Sequence, residues 1–123
     1  MGKIMNDSAS VSVFEVVGNA LCVASDDGQR VHDRLSTALK DSRNVSLSFR
    51  NVTSLTSAFL NTAVGQLYGT FSEDHIRTQL NIEEMSQDDL VLLERVVDTA
   101  KQYFKDPQRF EQALREEMDD YDD

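Results

Sequence analysis

Three hydroxyls gather where the chain changes its hydrophobic period: Ser54, Thr56 and Ser57, within NVTSLTSAFLNTAVGQLYGTF from Asn51 to Phe71. Hydroxyls placed there admit two chemistries. At the start of a helix they accept hydrogen bonds from N–H groups that have no other partner, which is capping. Alternatively one of them accepts a phosphoryl group, whose charge would meet the helix dipole. Nucleophilic catalysis would need a base as well, and His32 and His75 are the only imidazoles. Neither stands at a two-ligand spacing from a cysteine or the other histidine, so the residues offer no metal cluster. Cys22, the only cysteine, lies in LCVAS and reads as a buried thiol. Asp26-Asp27-Gly28 opens like a calcium loop, but the alternating oxygen ligands and the terminal glutamate are missing. A cap and turn is the reading there. No phosphate loop, dinucleotide fingerprint or nucleophile elbow is present.

The elements that must position these groups follow from periodicity. Val45, Leu47 and Phe49 alternate with Ser46, Ser48 and Arg50, the period of a half-buried strand. From Ser57 the apolar residues Phe59, Leu60, Ala63, Val64, Leu67, Tyr68 and Phe71 fall on one helical stripe. A helix fed by a strand through a polar turn lies at the carboxyl end of that strand, the edge where sites tend to lie in open α/β sheets. Upstream, SVSVFEVV at 10–17 reads as a strand, Gly18-Asn19 as a turn, and Ala20 to Ala24 as a second strand completing a hairpin. A helix at about 28–41 follows, then the strand at 45–50 and the helix to 71. Glu73 to Arg77 reads as a short turn, Leu80 to Met85 as a third main strand, and 88–105 as a helix begun by Ser86 and its acids. Gly65 and Gly69 sit inside a helical pattern, where each costs about 1 kcal/mol relative to alanine. They imply close backbone approach, either to this chain's own body or to a second chain.

Composition narrows the partners. The 123 residues suit one domain with no need of disulfide or metal. Acids outnumber bases 22 to 12, giving a net charge of −10. Six acids crowd the C-terminus, yet removing them still leaves −4, so a nucleic-acid surface is not expected. No run reaches the roughly 18 apolar residues of a membrane span. With one cysteine and no secretory signal, a cytoplasmic protein is expected. The domain is expected over 10–105, after a polar leader at 1–9 and before a short helix and acidic tail at 106–123.

The strand VSLSF, the helix opened near Asp27-Gly28, and FRNVTSLTSAFLNTAVGQLY together resemble the STAS-like proteins, in particular a branch of unknown function. That group is related to the anti-sigma-factor antagonists. The resemblance implies an α/β fold, a mixed four- to five-stranded sheet with helices mainly on one face, and a role as a protein-binding switch. In antagonists the turn carries an acid, two serines and a glycine, and a partner kinase phosphorylates the second serine. Aligned through Val52, those positions fall at Thr56, Ser57, Ala58 and Phe59. Alanine accepts no phosphate, so the switch lacks its acceptor, although Ser57 keeps a hydroxyl one position away.

The expectation is therefore a non-enzymatic regulatory module of a bacterial pathway, with no cofactor. It would bind a partner protein through the turn around 51–58, using Arg50, Asn51, Thr53, Ser54, Thr56 and Ser57. A histidine-kinase-type ATPase is the partner class that the resemblance implies. A structural or self-associating subunit, forming a homodimer through the Gly65/Gly69 face or the C-terminal helix, is the alternative. A small serine hydrolase or transferase pairing Ser57 with His32 or His75 is the remote one.

Overall fold

The computed structural model describes residues 8–105; the expected leader, for all but Ser8 and Ala9, and the expected C-terminal helix and tail lie outside them. The chain runs β1 (Ser8–Ser12), α1 (Val13–Val17), β2 (Leu21–Cys22), α2 (Ser25–Lys40), β3 (Asn44–Ser48), β4 (Ser54–Leu55) and α3 (Ser57–Ala63). A 3-10 turn (Gly65–Gly69), α4 (Glu73–Gln79), β5 (Leu80–Glu83) and α5 (Gln87–Lys105) complete it. The α/β class holds, with five strands divided between two sheets rather than joined in one. β1, β3 and β5 form a three-stranded sheet in that order, and β2 pairs only with β4. Every described pair is parallel.

Register explains which face of the main sheet is covered. Ala9 lies opposite Val45 and Val45 opposite Leu80, while Val11, Leu47 and Ile82 form the next row. This apolar face carries Val11, Val45 and Leu47 into the core. The alternate rows, Ser10–Ser46–Asn81 and Ser12–Ser48–Glu83, are exposed or half-buried. A strand covered on one side only must alternate in this way.

Three local expectations are corrected. The stretch 13–17 is a helix, because Ser12 caps it by accepting from Glu15 N–H at 3.2 Å, and Gly18 closes it at φ 80°. Ser and Glu three apart are a helix-start signal, and left-handed Gly is a stop. These local bonds outweigh the β-branched composition, and the expected hairpin gives way to the β2–β4 pair. Second, α2 begins at Ser25 with no side-chain cap, so Gly28 lies inside its first turn. Third, the expected helix from 56 to 71 stops at Ala63 and continues as the 3-10 turn, while the segment after Glu73 is a helix of seven residues.

Both interior glycines of that stretch belong to packing. A Cβ on Gly65 would stand 2.6 Å from Asn61 Oδ1 and in contact with Ala100, and one on Gly69 would stand 2.6 Å from the Phe104 ring. At Gly69 the close approach is to α5, whereas at Gly65 the nearest group is the Asn61 side chain of α3. α5 in turn buries Leu93, Val96 and Ala100.

Candidate functional site

The segment between β3 and α3 is held by one local turn and by hydrogen bonds to the β2 segment. Asn51 adopts φ 70°, a left-handed conformation that asparagine tolerates, and Val52 N–H closes the turn on Phe49 C=O at 3.1 Å. The chain then crosses to β2, where Thr53 N–H and Thr53 Oγ1 donate to Ala20 C=O at 2.9 and 3.4 Å. The short ladder sets Leu21 opposite Ser54 and Cys22 opposite Leu55. Thr56 ends the segment. Its Oγ1 donates to Val23 C=O at 2.9 Å and accepts from Phe59 N–H at 3.2 Å, so one hydroxyl both fastens β2 and caps α3.

Thr56 is thus the cap that the sequence left open between neighbouring hydroxyls. Ser57 is the first residue of α3 and is exposed, with no hydrogen bond from its hydroxyl among the described residues. Arg50, Asn51, Thr53 and Ser54 are exposed as well, whereas Thr56 is half-buried. Arg50 and Asn51 lie at the far end of the loop, and Arg50 N–H donates to Ser48 Oγ at 3.3 Å.

Two features beside the turn escaped the sequence reading. Leu21 is 52% exposed and Val23 46%, the two most exposed large apolar side chains among the described residues. They flank Cys22, which is wholly buried. Burial pushes the Cys22 thiol up from its ordinary value, with Asp27 adding to the shift. The period of a strand turns residues 21 and 23 outward whenever 22 turns in, so the signal was present in LCV. The second feature is Arg95. A cleft of about 230 Å³ is lined by Ser57, Asn61, Arg95, Val96 and Thr99, joining α3 to the middle of α5. Arg95, not Arg50, is the cation that shares a cleft with Ser57. Nothing in the sequence alone places residues 57 and 95 together.

Neither histidine reaches Ser57. His32 Nε2 lies 3.2 Å from Ser36 Oγ on the same helix, and His75 packs edge-on against Phe71 with ring centroids 5.2 Å apart. The cleft at Ser57 has no imidazole in its lining. Among the described residues no group of three or more His, Cys, Asp or Glu could hold a metal ion. A larger cleft of about 440 Å³ lies away from the turn, between Tyr68, Phe71 and Glu73 on one side and Lys101, Phe104 and Lys105 on the other. There Lys101 Nζ bonds Glu73 at 2.9 Å and holds that carboxyl below its usual range. No helix of the described residues is long and apolar enough to cross a membrane.

Comparison with known proteins bears on the same stretch. The family model described as a STAS-like domain of unknown function (DUF4325) matches residues 27–90, from the first turn of α2 to the first turn of α5. The chain matches no curated protein and no solved structure.

Proposed function

The chain belongs to the STAS-like domains of unknown function, and from that premise we propose that it is a non-enzymatic protein-binding module of a regulatory pathway. The contact surface is the turn at 51–58 together with the β2 edge beside it. One observation carries this reading: Leu21 and Val23 stand exposed at 52% and 46%, fastened through Thr56 to the polar turn. Large apolar side chains held outward on a built element are the usual material of an interface core, and the exposed hydroxyls, Arg50 and Asn51 supply a polar rim. The likeness to anti-sigma-factor antagonists suggests a bacterial signalling partner, and a histidine-kinase-type ATPase is the class to try first.

The test is affinity capture from the native cell with the full chain as bait, beside a Leu21→Ser, Val23→Thr double variant. A partner retained by the natural sequence and lost at least ten-fold by the variant, at equal folded fraction, supports the reading. Equal retention overturns it. Sizing the purified protein in parallel separates a partner from a second copy: a dimer that Leu21→Ser dissociates would assign the edge to self-association.

A further inference from the structure

The cleft beside Ser57 gathers polar groups of two helices around one cation. Its lining holds one guanidinium, two hydroxyls, one carboxamide and a valine floor, and no carboxylate. The protein around it carries −10. Arg30, Arg77 and Lys101 are each paired with an acid of the same chain, at Asp27, Asp74 and Glu73. Arg95, like Arg34, Lys40, Arg43, Arg50 and Lys105, has no carboxylate within 4 Å among the described residues, and of these it is the one that lines this cleft. Its backbone is anchored because the neighbouring Val96 is buried, while the Arg95 side chain itself is exposed.

We propose that this cleft receives an acidic side chain of the partner, with Arg95 as its counter-ion and Ser57, Asn61 and Thr99 as flanking donors. The inference rests on the protein-binding reading above and names the partner's chemistry. A guanidinium binds a carboxylate through two parallel N–H bonds, and the hydroxyl and carboxamide groups around it can donate to the remaining lone pairs. A basic partner group would instead leave Arg95 facing a like charge. The location adds a constraint on sequence. Ser57 follows Thr56, which is bonded to Val23 C=O, so one lining residue of the cleft is the chain neighbour of the residue that fastens the apolar edge. A segment that engages both would carry an apolar side chain for Leu21 and Val23 and an aspartate or glutamate for Arg95.

Amide NMR on the full chain tests this with two probes, the acetylated pentapeptide amide Leu-Val-Gly-Asp-Glu and its neutral twin Leu-Val-Gly-Asn-Gln. The acidic peptide is expected to shift Ser57, Asn61 and Thr99 saturably, and the twin to bind at least five-fold more weakly. Arg95→Gln, an exposed change that leaves the fold intact, should bring the acidic peptide down to the level of its twin. Equal binding of the two peptides, no binding of either, or an unchanged response in Arg95→Gln overturns the proposal. Leu21→Ser separates the two readings. If it weakens the peptides while Arg95→Gln does not, the contact surface stands and the acid falls; the reverse pattern removes the apolar edge and keeps the cleft.

Discussion

The two sides of Thr56 are built on opposite terms. After it, α3 sends Phe59, Leu60 and Ala63 wholly into the core, and α2 lies so close that a Cβ on Gly28 would stand 2.7 Å from Phe59 C=O. Before it, the β2–β4 ribbon is two residues long in each strand and leaves Leu21 half in water. The α2–α3 junction has burial and close backbone approach, whereas the ribbon has a few hydrogen bonds and an open apolar edge. On the proposed reading the difference separates stability from recognition: the junction can hold the fold while the ribbon keeps its outward side chains available. Substitutions on each side either break that separation or sharpen it.

The largest effect is expected at the junction. Phe59→Ala should destabilise by about 3–5 kcal/mol, the range for emptying a large buried site, read from the urea midpoint. Gly28→Ala is the sharper case, because propensity and packing disagree. Alanine gains about 1 kcal/mol in a helix interior. Here the new methyl meets a backbone oxygen at 2.7 Å and Thr62 Cβ at 3.1 Å, and overpacking of that kind costs about 1–3 kcal/mol. A net loss is expected. A gain in stability would show that the two helices are not held at this distance.

Thr56 stands between the two regions, and its loss should be intermediate. Thr56→Ala removes the cap of α3 and the bond to Val23, with an expected cost of about 1–2 kcal/mol. Thr56→Ser keeps both bonds and should recover most of that stability in the same urea titration.

How much of this was legible in the sequence differs between the same two regions. The stripe Phe59, Leu60, Ala63 and the alternation Val45, Leu47, Phe49 were readable because local period reports which face is buried. The early end of α3 was not, since Val64 and Leu67 keep the stripe while the backbone tightens to a 3-10 turn under α5. At 13–17 the β-branched residues pointed to a strand, and only Ser12, Glu15 and Gly18 recorded the helix. At the candidate site the turn and its hydroxyls were legible. The division of labour between Thr56 and Ser57 depends on where Val23 lies, and Arg95 arrives from another helix. Those are tertiary facts, absent from local pattern.

A smaller effect should appear only as pH falls. The His32 imidazole is half-buried near the Ala63 backbone, and burial, the largest influence, holds it below the ordinary 6.5 against the opposing pull of Asp33. The folded protein thus favours the neutral ring, and the unfolded chain takes up the proton first. Above 6.5 both states are neutral and nothing is lost. Below it, stability should decline as pH moves toward the lower folded value. Comparing urea midpoints at pH 7.5 and 5.5 checks this, and His32→Gln should flatten that part of the profile.

The smallest stability effects belong to the exposed side. Ser57→Ala should stay within about 0.5 kcal/mol of the natural protein, because the cap is supplied by Thr56 and the Ser57 hydroxyl makes no bond among the described residues. An effect near 1 kcal/mol would return the capping role to Ser57. Binding is where the residue should matter. Ser57→Asp places a carboxylate in the cleft that holds Arg95, where it can pair with the guanidinium and compete with an incoming acid. We expect Ser57→Ala to lower partner affinity about two-fold, the loss of one exposed hydrogen bond, and Ser57→Asp to lower it at least five-fold. Combining Ser57→Asp with Arg95→Gln should then add little further loss, since both changes remove the same free cation. Equal affinity for the natural protein, Ser57→Ala and Ser57→Asp, at matched folded fraction, would remove Ser57 from the contact surface and leave the ribbon's apolar edge to carry recognition alone.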